Sequence, residues 1–417
     1  MRRLLALAAA VCSTLLVATG CQPGARWEGP GESGAPDDPP KVALSAPANG
    51  AKDVPTAAEI TFAVSGTRDI RVSLVDAAGK AVEGSLRGDA SAWLPATQLD
   101  YATTYTATVT ATKASGQKAE AKSTFTTMAK PANLVDVTSF VGDDQVIGVG
   151  MPMIIEFGLN VPVERRAEVE RRLFVRSDPP QEGVWHWYRN DIVHYRPRQY
   201  WQPGTKLDVR IATGGLWWGV KNWYGRHDLT IHASVGPATI MTVDNKTKLM
   251  TVTRDGTVLR TMPVSLGKPA APSSSGQLLI ISKDRTALFD SSTYGVPVNS
   301  PDGYRTKVEY AMRLTWGGEF IHAAPWSVAD QGRRNVSHGC VNISTANAKW
   351  LFNTVTVGDP VIIKGTEVHV TWGNGWTDWD RPWAEYVKGS ALPYPPPGTA
   401  APSTAGSLSP TPAPSGS

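Results

Sequence analysis

Cysteine is nearly absent from this 417-residue chain: of three, Cys12 and Cys21 sit in an apolar N-terminal stretch, leaving Cys340 alone in the remainder. With no cysteine pair in the folded part, stability has to come from hydrophobic cores, and this length is enough for two to four domains. Long hydrophobic runs are also scarce. Apart from Leu4 to Val17, which is shorter than the ~20 apolar residues of a membrane span, no stretch is long enough to cross a bilayer. An excess of one charge is missing as well: 41 Lys and Arg stand against 37 Asp and Glu, a net +4. That balance argues against nucleic acid as the main partner and fits, at most, an anionic envelope.

What is present begins with an export signal. Arg2 and Arg3 precede the apolar run, which ends in small residues, so residues 1–20 read as a signal peptide. Val17-Ala18-Thr19-Gly20-Cys21 resembles a bacterial lipobox, which implies lipidation of Cys21 and attachment to the outer face of the cytoplasmic membrane. An ordinary cleaved secretion signal is the alternative. Residues 21–40, rich in Pro and Gly and without periodicity, read as a flexible spacer.

From Lys41 the texture changes to short runs of period-two alternation, such as Thr104-Tyr105-Thr106-Ala107-Thr108-Val109, separated by turns such as Ala78-Gly79-Lys80. This predicts two tandem immunoglobulin-like β-sandwiches, residues 41–129 and 130–235, the second with a short helix between Pro162 and Arg172. Neither shows a His, Asp and Glu cluster; His186, His194, His227 and His232 read as structural or exposed. Residues 236–370 form a third, strand-dense domain with hairpin turns at Asp244-Asn245-Lys246 and Arg254-Asp255-Gly256. A Trp-rich subdomain, 371–392, follows, and 393–417 is an uncharged Pro, Ser and Thr tail expected to be disordered. The fold class is mainly β. The fifteen tryptophans, most of them between Trp185 and Trp383, point to aromatic packing between domains, with a sugar- or peptide-binding surface as the alternative.

The lone thiol lies in Ser337-His338-Gly339-Cys340-Val341-Asn342, eighteen positions after His322. Alternation in Cys340-Val341-Asn342-Ile343 predicts a strand with Val341 and Ile343 in the core and Cys340, Asn342 and His338 on the other face. Ser344 is a candidate N-cap for a helix whose Ala348, Leu351, Phe352 and Val355 pack on the sheet. Phe320-Ile321-His322 is a strand end stopped by Pro325, so two strand ends can bring imidazole to sulfur. A free thiol, with a pKa near ~8.5, is only slightly ionised at neutral pH; an adjacent His accepts its proton and later protonates a leaving amine. Gly339 lets the backbone come close, so the amides of Gly339 and Cys340 can face an oxyanion. The chemistry is acyl transfer through a thioester. An inert buried cysteine is one alternative; a zinc site from His322, His338 and Cys340 is another, and it lacks a fourth ligand.

His322, fourteen intervening residues and then Ser-His-Gly-Cys-Val-Asn is similar to the signature of the L,D-transpeptidase (YkuD-type) catalytic family. The resemblance continues through Asp290 to Ser300, Gly303 to Thr306 and His322 to Ser327, and extends to multidomain envelope members with immunoglobulin-like modules and a Trp-containing subdomain. It implies a β-rich catalytic domain with no cofactor or metal. The implied partners are peptidoglycan stem peptides, a tetrapeptide donor and an amine acceptor, joined as 3-3 cross-links with release of D-alanine. Cys340 is the implied nucleophile, His322 the general base and acid, and His338 a second motif histidine. The resemblance further implies that the carbonyl of Ala323 orients His322, that Gly339 and Tyr304 serve the oxyanion region, and that Tyr304, Gly317, Gly318 and Asn342 contact the donor. Tyr294 and Trp326 match lid aromatics, with plain packing under a loop as the alternative, and Phe289 stands where close relatives can have Met. Carbapenems are expected to acylate Cys340. An L,D-carboxypeptidase, or a wall-binding protein with a degenerate catalytic domain, are the competing readings. Arg305, Arg333 and Arg334 are added as candidate holders of stem carboxylates, because Arg pairs with carboxylates bidentately.

Overall fold

The computed structural model describes residues 38–87, 90–294, 297–300, 303, 305–394 and 409–410. The signal peptide, Cys21, most of the spacer, Tyr304 and most of the C-terminal tail lie outside the described residues. Of that tail, Ser409–Pro410 forms a two-residue strand paired with Gly84–Leu86.

The first sandwich opposes two antiparallel sheets. One carries Lys41–Ala46, Ile60–Ser65, Ala92–Pro95 and Gly84–Leu86; the other carries Ala81–Val82, Asp69–Asp76, Thr104–Thr112 and Lys118–Thr126. Along Thr104–Thr112 every second side chain is buried, because a half-buried strand alternates faces. Tyr105, Ala107 and Val109 meet Ile60, Leu74, Trp93 and Phe125 in the core.

The second sandwich pairs a sheet of Val137–Ser139, Met153–Phe157, Ile192–Pro197 and Gly183–Trp187 with one of Gln145–Ile147, Leu229–Val235, Lys206–Ile211 and Leu173–Asp178. The expected helix runs Val163–Glu170, started by Pro162, which has a fixed φ of −56° and no N–H to satisfy. This sandwich does not close its own core. Leu279 and Ile281 from the third domain, and Trp376 and Trp379 from the C-terminal segment, join Trp185, Trp201 and Trp218 in one cluster. Backbone bonds from Gly148 to Val357 O (2.8 Å) and from Gly150 to Gly358 O (3.0 Å) stitch the same junction.

The third domain holds a six-stranded sheet in the order Thr257–Pro263, Leu249–Arg254, Thr239–Asp244, Pro360–Lys364, Ser274–Leu279, Val368–His369. A four-stranded sheet of Ser282–Asp290, Arg305–Arg313, Phe320–Ala323 and Val341–Ile343 carries the cysteine motif. At the Arg254 hairpin both Asp255 (φ 50°) and Gly256 (φ 81°) are left-handed, the geometry that matches strand twist. Helix Thr345–Thr354 follows Ser344, whose Oγ accepts the Asn347 N–H. Its Ala348 and Leu351 pack with Val341, Ile343 and Ile321 between the sheets.

The Trp-rich segment lies on the second sandwich. His194 Nδ1 meets both oxygens of buried Asp378 (2.9 and 3.1 Å), Tyr386 Oη donates to His194 O (3.2 Å), and His186 Nδ1 donates to Tyr386 O (2.6 Å). His186 and His194 are therefore structural, while His232 is exposed beside Asp143. No helix among the described residues is long and apolar enough to cross a membrane.

Candidate active site

Strands Phe320–Ala323 and Val341–Ile343 run parallel with Ile321 opposite Val341 and His322 opposite Asn342. This register puts Cys340 beside Phe320 and on the same sheet face as His322, while Ile321 and Val341 turn inward, as the alternation requires. Cys340 and His322 line one open cleft of about 380 Å³, together with Phe289, Trp326, His338 and Asn342.

The turn that delivers the thiol is held by serines. Ser337 Oγ donates to Cys340 O (2.6 Å) and accepts the Gly339 N–H (3.2 Å), while Ser273 Oγ donates to Gly339 O (2.7 Å). Gly339 has φ +116°, a conformation that other residues rarely adopt. Its N–H is spent inside the turn, which corrects the expectation that it faces an oxyanion. Such a role requires that bond to be exchanged.

His322 Nδ1 lies 2.9 Å from the carbonyl of Ala323. A carbonyl only accepts, so Nδ1 carries the proton and Nε2 is left as an acceptor, the tautomer a general base needs. The Phe289 ring meets the imidazole edge-on at 5.1 Å, and Trp326 lies at 6.0 Å. Burial lowers the His322 pKa to about 4, against the Ala323 bond, which raises it. Burial likewise pushes the Cys340 thiol up to about 12; a backbone hydrogen bond from Phe320 lowers it and Glu319 raises it. The resting pair is thus neutral thiol and neutral imidazole, and proton transfer accompanies attack.

The remaining expected residues divide. Asn342 is buried; its Nδ2 donates to Ser327 Oγ (3.2 Å), and its Oδ1 has no partner among the described residues. Gly318 O lies 3.8 Å from Cys340 Sγ, and the Gly317 N–H donates to Asn374 Oδ1 (2.7 Å), so this loop touches the nucleophile. Trp326 is 59% exposed at the cleft. His338 is exposed at the rim of the cleft that Cys340 lines, with Nε2 accepting from Lys268 Nζ at 3.0 Å. Tyr294 ends the short helical turn Ser291–Tyr294. Arg305, Arg333 and Arg334 do not line the cleft. Arg305 pairs with Asp290 (3.1 Å) and Arg334 with Asp330 (2.5 Å), so carboxylates of this chain already occupy two of the three. No group of three or more His, Cys, Asp or Glu among the described residues is arranged to hold a metal ion.

Sequence reasoning missed Glu319. Its Oε1 accepts from Ser274 N (3.1 Å) and Ser274 Oγ (2.8 Å), while Oε2 is buried without a partner among the described residues. A Cβ placed on Gly339 would meet Glu319 Cγ at 3.6 Å. Burial raises this carboxyl above the usual range, against the two bonds from Ser274. The available signal was a charged residue directly before an otherwise apolar strand start.

Residues 51–216 match a bacterial Ig domain and residues 238–363 an L,D-transpeptidase catalytic domain. L,D-transpeptidase 2 of Mycobacterium tuberculosis is 39% identical over 321 residues, 77% of this chain and 78% of that protein. L,D-transpeptidase 5 of the same species is 33% identical over 358 residues, 84% of this chain and 77% of that one. A solved L,D-transpeptidase in complex with imipenem is 39% identical, with coverage of 56% of this chain and all (100%) of the other, and a TM-score of 0.48.

Proposed function

The chain belongs to the L,D-transpeptidase family, and from that premise we propose that it forms 3-3 peptidoglycan cross-links through a Cys340 thioester. One observation supports the mechanism above the rest: the Ala323 carbonyl holds His322 with Nε2 as an acceptor on the sheet face that also carries Cys340. Cys340 Sγ attacks the carbonyl of the third stem residue as its proton passes to His322 Nε2. The tetrahedral oxyanion collapses, the C–N bond breaks, and His322 returns the proton to the departing D-alanine amine. The side-chain amine of an acceptor stem then attacks the thioester, gives its proton to His322, and the thiol leaves protonated. Donors aimed at such an oxyanion are worth about 3 kcal/mol each.

Incubation with a tetrapeptide-stem fragment, read by mass spectrometry, tests this. A dimer with loss of D-alanine is expected. A tripeptide alone would assign an L,D-carboxypeptidase, and an unchanged fragment with intact Cys340 would refute both. Imipenem should add its mass to the protein once, and Cys340→Ala should abolish the adduct.

Cys21 is proposed as the lipid attachment point that places the enzyme on the outer face of the cytoplasmic membrane. Labelled palmitate entering the wild-type chain but not Cys21→Ala supports this reading; equal labelling removes it.

A further inference from the structure

Besides its two histidines, the cleft that holds Cys340 is lined among the described residues by one charged side chain, Asp330, and by no Lys or Arg. Asp330 stands in the turn after the short helix Pro325–Ser327, with its N–H donating to Ser327 O (2.9 Å) and its side chain 19% exposed. Arg334 Nε meets Oδ1 at 2.5 Å, but the Arg334 side chain is 75% exposed, so solvent screens the pair. The other carboxylate oxygen, Oδ2, has no partner among the described residues.

Ser327 also holds a second unused acceptor in place. Its Oγ donates to Ala324 O (3.2 Å), which leaves lone pairs to accept from Asn342 Nδ2 (3.2 Å) and Gln331 Nε2 (3.3 Å). The Asn342 amide is thereby fixed with its nitrogen on Ser327 and its oxygen free. Asn342 is only 3% exposed and lines the cleft with Cys340, yet Oδ1 has no hydrogen-bond partner among the described residues, a condition native proteins normally avoid. Phe289, Val308 and Val336 give the same cleft apolar walls. Apolar walls, a carboxylate oxygen and an orphaned amide oxygen are together complementary to an aliphatic chain that ends in a hydrogen-donating cation.

We propose that Asp330 is a specificity-determining residue that selects the donor stem by the side-chain ammonium of its third residue, while Asn342 Oδ1 accepts from the same stem. The assignment rests on the transpeptidase reading, in which both stems carry that amine. An amine held by a carboxylate keeps its proton and has no lone pair to attack with. The group that Asp330 reads therefore belongs to the stem that acylates Cys340, and the attacking amine of the acceptor gives its proton to His322 instead.

The full chain carrying Cys340→Ala allows binding to be read without turnover, by calorimetric titration with a tetrapeptide stem and with the same stem whose side-chain amine is replaced by hydrogen. The amine-bearing stem is expected to bind roughly tenfold more tightly, as one charge-assisted hydrogen bond allows. Adding Asp330→Asn should close most of that gap, and Asp330→Glu should keep most of it. Arg334→Gln, which frees Oδ1, should widen it. Equal binding of the two stems, binding of neither, or a gap untouched by Asp330→Asn overturns the proposal. The transpeptidase reading fails separately, if the wild-type chain releases no D-alanine from a stem that the Cys340→Ala chain binds.

Discussion

The reactive pair shows how one residue can tune another that it does not bond. Glu319, when ionised, raises the Cys340 pKa through space, on top of the larger effect of burial. Glu319→Gln keeps an oxygen acceptor for Ser274 and removes the charge, so the thiol should ionise more easily. The rate of Cys340 alkylation by iodoacetamide against pH is expected to move its midpoint to lower pH; a residue with a purely packing role would leave the midpoint in place. The same two shifts bear on stability. The His322 pKa is lower folded than unfolded, so acid favours the unfolded chain between the ordinary value of about 6.5 and the folded value of about 4. Cys340 is raised, so its contribution is present below its ordinary value and is lost as pH climbs toward about 12. Urea midpoints of Cys340→Ser should therefore fall less steeply above pH 9 than those of the wild type. Gly339→Ala would force an alanine to φ +116°, at a cost of roughly 1–3 kcal/mol, and should also lower acylation by shifting the turn.

At the scale of elements, much of the site was legible because its signals are local. The alternation in Cys340 to Ile343 and the helix pattern after Ser344 depend on neighbours within a turn or two, and the structure reproduces both. Replacing Ser344 by Ala removes the side-chain cap and should cost about 1 kcal/mol, read as a shift in thermal midpoint with little change in acylation. What stayed hidden depends on partners far along the chain. Glu319 becomes a neighbour of Ser274 only when strand Ser274–Leu279 arrives 45 positions away in sequence. The arginines chosen as carboxylate holders carried the right chemistry, but Asp290 and Asp330 reached two of them first, and charge type alone does not reveal which acid a fold will supply. Gly339 was legible as a close-approach residue, yet the use of its N–H was decided by Ser337 inside the turn.

At the scale of the molecule, the C-terminal segment couples the second sandwich to the catalytic loop. Asp378 and Tyr386 lock it to His194, Tyr188 Oη donates to Gly375 O (2.7 Å), and Asn374 accepts the Gly317 N–H one residue before the carbonyl that touches Cys340. Two substitutions separate the anchor from the transmission. Asp378→Ala leaves His194 and Tyr386 without their buried acceptor and should destabilise the protein by about 3 kcal/mol. Because Leu279 and Ile281 of the catalytic domain and Trp376 and Trp379 of this segment lie in the core of the second sandwich, the loss should appear in a single unfolding transition for the second sandwich and catalytic domain. Asn374→Ala removes only an exposed acceptor, so the thermal midpoint should hardly move, within about 1 kcal/mol. Freed from Asn374, however, Gly317 and Gly318 no longer hold a fixed position against the sulfur, and imipenem acylation should slow severalfold. If acylation is unchanged in Asn374→Ala while Asp378→Ala still unfolds early, the segment is a brace for the sandwich alone and the catalytic loop positions itself.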